Sequence, residues 1–429
     1  MKALTRLAEL VQSRDLGDFA SARLDRLKLH IVDTVGARLA GSRTDEGMAI
    51  ARLLPPMGDG PMGAIVAGCA QARCTEIDDI HLASCTTPGS VVVSTALALA
   101  SQRASEGDPI SVRDVCAAVL AGYEMLIRLG FAIDGPVVLR KGVWPTHFAA
   151  AFGSAATASR MYGLSVDATA GALATALAAG SGAPVSAALP SSSRWMTLGV
   201  AAASGVLAAR GAREGLLGTA GDFVWATRLT RDLGRRFLFD DIGIKPYPTA
   251  RQGLAAIEAA RQIADTEKLD PTEIDQIVVR LPEAQRAIVD HPAPPASRFA
   301  SIVSVQYQIA LALTAPDRLL DVRRTPPFVD DRLRALMSKI RVRRARELDK
   351  HYPNAWPARV EITAGGRRYS RFVLHPRGDA HDPFGWDDVA RKFLALAGPV
   401  IGEAAAGRAV TGLRRAGANA PMPPLWDLR

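Results

Sequence analysis

Long alanine-rich segments with helical spacing dominate the first part of the chain, and they constrain its fold more than any other feature. They cover residues 91–104, 111–131, 146–162, 168–179 and 198–213. Alanine and glycine on facing helices let two backbones approach closely, so we expect these segments to pack tightly against each other. Shorter apolar stripes with helical spacing precede them. The pattern predicts a large all-helical domain over residues 1–240.

The character of the sequence changes near residue 240, where runs that alternate apolar and polar residues appear. One run covers residues 274–281, and two more, 358–363 and 368–374, flank Gly365-Gly366. A Gly-Gly step between two alternating runs is typical of a β-hairpin. Helical patterns lie before and between these runs, which predicts an α+β arrangement.

The expected fold class is mainly α, with the large all-helical domain followed by a smaller α+β domain over residues 241–393. The last segment, residues 394–429, contains the end of a helical pattern and a proline-rich tail. We expect this segment to return to the helical domain or to cover its edge.

The composition suits a chain that buries a large core, because 48% of the residues are hydrophobic and 22% are charged. This balance excludes disorder, coiled coil and low-complexity fibre for the whole chain. The net charge is +9, yet the arginines are spread along the chain, and no zinc, homeodomain or RNA-binding signature accompanies them. We therefore predict a solvated basic surface and no nucleic-acid partner.

The sequence contains no apolar run of about 18 residues, the length that a membrane-spanning helix needs. The N-terminal segment has scattered charges instead of the continuous apolar stretch of a secretory signal. The four cysteines show neither Cys-x-x-Cys nor Cys/His zinc spacing. We expect a cytoplasmic protein with reduced thiols, no membrane partner and no metal site.

Eight stretches together resemble the MmgE/PrpD family, which includes 2-methylcitrate dehydratase, cis-aconitate decarboxylase and iminodisuccinate epimerase. Among them are HIVDTVGARLAG, IKPYPTARQGLAAIEAA and YPNAWPARVEIT. They occur in the family's order over nearly the whole chain, at residues 30–41, 76–100, 121–130, 144–164, 244–260, 304–313, 352–363 and 375–393. The resemblance implies the same two-domain fold, a homodimer with a polar cleft between domains, and no metal or organic cofactor.

The resemblance also implies a small carboxylate as substrate. The shared step of the family moves a proton at the carbon next to a carboxylate, and loss of water, loss of carbon dioxide or inversion follows. Such chemistry needs an acid, a base and cations that hold the carboxylates.

The segment 76–81 places three carboxylates and an imidazole within six residues. We assign Glu76, Asp79 and His81 to proton transfer and Asp78 to substrate binding. Crowded carboxylates raise one another's pKa, and a neighbouring acid raises that of a histidine. The alternative is that Asp78 and Asp79 cap a helix and orient their neighbours. The family pattern here is Asp-x-Asp-Asp-Thr-His, so this chain departs from it at Glu76 and Ile80.

Two predicted helix starts supply further candidates, because the N–H groups at a helix start bind anions. Thr87 and Trp144 stand where the family usually has histidine, and we assign both to substrate binding. Threonine donates a hydrogen bond but does not titrate near neutral pH. His147, three residues after Trp144, is a catalytic candidate that replaces the missing imidazole; the alternative is a structural histidine.

Three cations and a tyrosine complete the predicted site. Arg194 replaces a family lysine and binds carboxylates bidentately, unless it is a plain surface arginine. Lys245 and Arg251 flank a rigid loop with two prolines, and both are assigned to substrate binding. Tyr307 matches a family tyrosine and is a catalytic candidate; the alternative is an interface aromatic.

The departures from the family pattern limit the expected chemistry. Thr87, Trp144 and Thr197 replace histidines, and Ala250 replaces a commonly reactive residue. Each lost acid or base typically costs a factor of about 10²–10⁴, which predicts the loss of ordinary methylcitrate dehydration and cis-aconitate decarboxylation. Two hypotheses remain: a divergent lyase or isomerase (dehydration, decarboxylation or epimerisation), or a catalytically impaired carboxylate-binding or scaffolding protein.

Overall fold

The chain divides into two compact units in a computed structural model that describes residues 2–14, 17, 20–53, 60–180, 193–219, 225–324 and 327–428. The helical unit contains residues 1–244 and 385–429, and the α+β unit contains residues 245–384. The divisions follow Ile244 and Phe384, whereas the sequence prediction placed them at 240 and 393.

The helical unit begins with eleven helices among the described residues. Ser111 and Ser165 cap α6 and α9, because each hydroxyl accepts a hydrogen bond from a backbone N–H in the first turn. The helices are α1 (Lys2–Gln12), α2 (Ser21–Gly41), α3 (Asp45–Ala51), α4 (Pro61–Cys74), α5 (Gly89–Ser105), α6 (Val112–Ala132), α7 (Gly135–Arg140), α8 (Pro145–Met161), α9 (Val166–Ala179), α10 (Ser193–Arg213) and α11 (Ala226–Leu229).

Helix α8 packs against both α6 and α10, and α10 packs in turn against α4. Small residues make up much of these contacting faces, which are buried. At Gly205 of α10, an added Cβ would lie 2.1 Å from the carbonyl oxygen of Ala151 in α8, so no larger residue allows this approach. The close packing predicted from the alanine-rich segments is confirmed.

Helix α6 is the one helix in the described part of the chain that is long and apolar enough to cross a membrane. Its mean hydropathy is 1.6 over an 18-residue window, and 94% of that window is buried inside the protein. A helix that is hydrophobic on all sides and covered by its neighbours is typical of a protein core.

Two short strands interrupt the helices of this unit. The strand β1 (Asp79–His81) pairs antiparallel with β2 (Ile242–Ile244), and both are buried. Three residues are too few to show an alternating pattern, so the sequence did not predict them. The pairing joins Asp79 to Ile244 and His81 to Ile242, and it holds two of the predicted site residues in one buried ladder.

The α+β unit contains a four-stranded sheet with strand order β4-β3-β5-β6. Strand β3 runs parallel to β4 and antiparallel to β5, which pairs antiparallel with β6. Gly365 and Gly366, both with positive φ, join β5 to β6 and confirm the predicted hairpin. The strands are β3 (Ile274–Leu281), β4 (Ile340–Arg344), β5 (Ala358–Ala364) and β6 (Arg367–Val373).

Helices of the same unit cover this sheet. Alternate residues of β5, including Val360 and Ile362, enter a core that also holds Ile257 of α12 and Leu311 of α15. The helices are α12 (Leu254–Glu267), α13 (Glu283–Val289), α14 (Arg298–Val303), α15 (Val305–Thr314) and α16 (Asp331–Ser338).

Two last helices, α17 (Trp386–Ile401) and α18 (Glu403–Arg415), belong to the helical unit. Helix α17 packs on α2, where the Lys392 ammonium lies 2.5 Å from the Asp33 carboxylate in a buried ion pair. The predicted fold class, mainly α with a large helical and a smaller α+β part, is confirmed, with the addition of the β1–β2 pair.

Candidate functional site

A buried ion-pair group forms where α4 ends. The Arg73 guanidinium lies 2.7 Å from a Glu76 carboxylate oxygen and 3.2 Å from an Asp78 carboxylate oxygen. Burial lowers the pKa of Arg73, but the charges of Asp78 and Glu76 outweigh it and raise this pKa. Arg73 was not among the site residues predicted from the sequence, although its position three residues before Glu76 was a usable signal.

Two tryptophans and a second arginine continue this group. The Arg194 guanidinium carbon lies 4.9 Å from the ring centre of Trp144 and 4.4 Å from that of Trp195. Arg73 also faces Trp195, at 5.5 Å. Arginine stacks favourably on aromatic faces, so the rings hold both cations in place. Arg194 is buried and is therefore not the plain surface arginine of the alternative interpretation.

The imidazole of His147 joins the same group through a hydrogen bond to a backbone carbonyl. Its Nε2 lies 2.7 Å from the Arg194 carbonyl oxygen, and a carbonyl only accepts, so Nε2 carries the proton and Nδ1 has the lone pair. Within the described residues, Nδ1 forms no hydrogen bond. Burial lowers the pKa of His147, and the charges of Arg73 and Arg194 help to bring it to about 4. The imidazole is therefore neutral near pH 7.

The Arg194 cluster, as we name it, comprises Arg73, Glu76, Asp78, Trp144, His147, Arg194 and Trp195. The starts of α8 and α10 and the end of α4 bring it together. Thr87 lies beside the start of α8, where its backbone N–H donates to the Thr146 hydroxyl at 2.9 Å. The exposed Thr197 donates to the Arg194 carbonyl at 2.9 Å.

Asp79 is fully buried and accepts hydrogen bonds from three sides. One oxygen accepts from the Gly89 N–H at 2.9 Å, at the start of α5. The other accepts from the Tyr123 hydroxyl at 2.6 Å and lies 3.2 Å from Nδ1 of His30. Burial and the Asp79 charge raise the pKa of Tyr123 well above its ordinary value. This geometry is that of the helix-capping alternative for Asp79.

Gly89 allows this contact because it has no side chain. A Cβ at Gly89 would lie 2.7–2.9 Å from the carboxylate atoms of Asp79. His30 and Tyr123 were not predicted from the sequence, because they stand far from Asp79 in the chain.

His81 has its own surroundings beside this buried carboxylate. Its Nδ1 lies 2.9 Å from the Ser84 hydroxyl, its Nε2 lies 4.0 Å from an Asp241 oxygen, and its ring packs on Phe131 at 5.2 Å. Burial lowers the pKa of His81, against the opposing effect of Asp241. In the part of the chain that the structure describes, His81 forms no hydrogen bond to the Arg194 cluster.

An arginine-rich cavity of about 450 Å³ also borders Phe131. Its lining includes Arg128, Arg228, Arg231 and Arg236, with Asp134 and Asp232 as the only acids among the lining residues. Arg236 pairs with Asp241 at 2.7 Å, so this basic cavity lies close to the imidazole of His81.

The remaining predicted residues belong to the α+β unit. Lys245 is buried at its start. Arg251 is buried and donates to Asp379 at 2.5 Å, and its second terminal nitrogen forms no hydrogen bond within the described residues. Burial lowers the pKa of Arg251, against the opposing charge of Asp379. Tyr307 lies buried in α15, 6.0 Å from the Arg324 guanidinium carbon.

Comparison with known protein families settles which group the chain belongs to. A model of the MmgE/PrpD N-terminal domain matches residues 5–227, and a model of the MmgE/PrpD C-terminal domain matches residues 247–412. The chain belongs to the MmgE/PrpD family. The resemblance inferred from the sequence is thereby confirmed, and family membership supports a lyase-type role.

Two curated proteins to which the chain is similar are cis-aconitate decarboxylases of Aspergillus terreus, one of them from strain NIH 2624 / FGSC A1156. Each is 29% identical to this chain over 166 residues. The alignment covers 35% of this chain and 33% of each decarboxylase. The chain therefore spans about a third of the length of the relatives it matches.

Proposed function

We propose that this protein is a lyase that moves a proton at the carbon next to a carboxylate of a small organic acid. The observation that carries the proposal is the Arg194 cluster, which combines stacked arginines, an imidazole in its base form and two carboxylates. Family membership and the name of the Aspergillus terreus relatives support the choice of a lyase and of a carboxylate substrate.

In this proposal Arg194 holds one carboxylate of the substrate. Its planar guanidinium matches a carboxylate with two parallel hydrogen bonds. The two tryptophan rings at 4.9 and 4.4 Å keep the guanidinium in one orientation and reduce the entropy lost on binding. Trp144 is half-buried and favours a substrate that has an apolar or aromatic part.

His147 accepts or returns the proton through Nδ1. Two arginine charges help to hold its pKa near 4. A substrate carboxylate that neutralises part of this charge raises the pKa of the imidazole and makes it a stronger base. Substrate binding should therefore be accompanied by proton uptake. Glu76 and Asp78, whose oxygens lie 2.7 and 3.2 Å from the Arg73 guanidinium, hold this arginine in place and keep it charged.

The experiment is deuterium exchange followed by proton NMR, with a panel of small dicarboxylates and tricarboxylates that includes cis-aconitate. Wild-type protein should exchange the proton next to a carboxylate of at least one compound, and the product spectrum shows whether water or carbon dioxide leaves. His147→Gln should retain binding in calorimetry but lose about 10²–10⁴ in exchange rate. Arg194→Met should lose binding.

The matched control is Arg391→Met, a substitution at an exposed arginine of α17, which should leave exchange unchanged. Calorimetric binding without exchange for every compound would refute the lyase proposal and favour the carboxylate-binding hypothesis. An unchanged exchange rate in His147→Gln would remove the imidazole from the mechanism.

We also propose that the protein acts as a homodimer, as the family resemblance implies. Light scattering should then give about twice the chain mass of 45.4 kDa at micromolar concentration. A mass of one chain across that range would overturn this proposal and leave the exchange experiment unaffected.

A further inference from the structure

We infer that His375, Asp379 and His381 form a binding site for a divalent transition-metal ion. The three residues lie in one loop of the α+β unit, between β6 and α17. No metal site was predicted from the sequence, because the cysteines lack zinc spacing; this loop contains no cysteine and has the pattern His-x₃-Asp-x-His. His375, Asp379 and His381 belong to the α+β unit, whereas the residues of the Arg194 cluster belong to the helical unit.

The distances between the donor atoms fit a tetrahedral ion. Nδ1 of His375 lies 3.4 Å from Oδ1 of Asp379, and Nδ1 of His381 lies 3.1 Å from the same oxygen. Two ligands that each lie 2.0–2.1 Å from a tetrahedral ion are about 3.3 Å apart. One donor atom from each of the three residues lies within 4.8 Å of the others.

The two imidazoles stack on each other beside this carboxylate. Their ring centres are 4.0 Å apart, with an angle of 20° between the ring planes. Nδ1 of His375 is buried and forms no hydrogen bond among the residues that the structure describes. A buried nitrogen without a hydrogen-bond partner costs free energy, and a metal ion at this position removes the cost.

The surroundings of Asp379 orient it for this role. Arg251 donates to Oδ2 at 2.5 Å, so the other oxygen faces the histidines. The backbone N–H of His381 donates to Oδ1 at 3.1 Å, and Asp382 N–H donates to the Asp379 carbonyl at 3.0 Å, which closes the loop. Such partners of a ligating carboxylate fix its direction and support metal affinity.

The donor set selects the class of metal. Two imidazole nitrogens and one carboxylate oxygen suit Zn²⁺, Co²⁺ or Ni²⁺, whereas Ca²⁺ and Mg²⁺ prefer oxygen ligands alone. The side chain of His381 is 65% exposed, and that of Asp379 is 3% exposed. The ion therefore has a buried anionic anchor and access from solvent, and three protein ligands leave a fourth position for water or an anion.

The test is a calorimetric titration of the full chain with zinc chloride, after removal of any affinity tag and of bound metal with a chelator. We expect one ion per chain with a micromolar or tighter dissociation constant. His381→Ala should weaken binding by more than about tenfold, and because this side chain is exposed the substitution should leave the fold intact. Cobalt absorption bands in the visible range should report the same loss.

The matched control is His351→Ala, which removes a histidine of the same unit outside this loop. It should bind zinc as the wild-type protein does. No heat of binding for wild-type protein at roughly 100-micromolar zinc, or equal affinity in the His381→Ala and wild-type proteins, would overturn the inference. Neither outcome depends on carboxylate exchange, so this test and that of the lyase proposal fail independently.

Discussion

Replacing Arg73 with methionine should destabilise the helical unit more than a substitution of an exposed residue, because its guanidinium forms ion pairs with two buried carboxylates. Its Nη1 lies 2.7 Å from Glu76 and 3.2 Å from Asp78, and the side chains of all three residues are at most 8% exposed. Methionine fills the space of the aliphatic stem of arginine but carries no guanidinium, so the substitution mainly removes the charge.

The expected loss of unfolding free energy is about 3–5 kcal/mol, the cost of removing one partner of a buried ion pair. The two ion pairs share one nitrogen of Arg73, so their contributions do not simply add. Loss of the stacking on Trp195, at 5.5 Å, adds about 0.5–2 kcal/mol. The matched control, Arg391→Met, removes an exposed ion pair with Asp388 and should cost at most about 1 kcal/mol.

The assay is equilibrium urea unfolding followed by tryptophan fluorescence at pH 8 and at pH 5. Without the guanidinium, protonation of Glu76 and Asp78 removes buried negative charge, and the folded state of the variant takes up protons that the unfolded chain does not. The difference in unfolding free energy between the variant and the wild-type protein should therefore become smaller as the pH falls. If Arg73→Met loses less than about 1 kcal/mol of unfolding free energy, or if its difference from the wild-type protein is larger at pH 5 than at pH 8, the reasoning is refuted.

Three further outcomes follow from the buried groups. His147→Gln should reduce the acid sensitivity of folding. The pKa of His147 is lowered to about 4, so below about pH 6.5 the unfolded chain takes up a proton that the folded protein does not, and the unfolding free energy of the wild-type protein falls between pH 6.5 and pH 4 by up to about 3 kcal/mol. Identical pH profiles of urea unfolding for the variant and the wild-type protein would contradict this. Tyr123→Phe should cost about 1.5–3 kcal/mol in thermal or urea unfolding, because Asp79 loses a 2.6 Å hydrogen bond, whereas the control Tyr162→Phe should cost less than about 1 kcal/mol. Gly89→Ala should cost about 1–3 kcal/mol, because the new Cβ meets the Asp79 carboxylate at 2.7–2.9 Å, and an unchanged melting temperature would argue against a rigid contact.

Much of the fold was predictable because it depends on local periodicity. The alanine-rich segments became α5, α6, α8, α9 and α10, and the Gly365-Gly366 step became a hairpin turn. The β1–β2 pair was not predictable, because it joins Asp79–His81 to Ile242–Ile244 across about 160 positions of sequence.

The candidate site was predictable in its residue types but not in its partners. Glu76, Asp78, Trp144, His147 and Arg194 were singled out from sequence, and the fold assembles all five around Arg73 and Trp195. Their grouping depends on where α4 ends and where α8 and α10 begin, which is set by packing rather than by any local pattern.

The sequence by itself determined the long helices, the β5–β6 hairpin and the family, because these depend on the spacing and order of residues along the chain. Only the tertiary structure decided what each titratable group does. Asp79 accepts from Gly89, Tyr123 and His30, and the imidazole of His147 is held neutral by burial beside Arg73 and Arg194. The physical reason is that hydrogen bonding, desolvation and the fields of nearby charges depend on distance in space, which residue spacing along the chain does not specify.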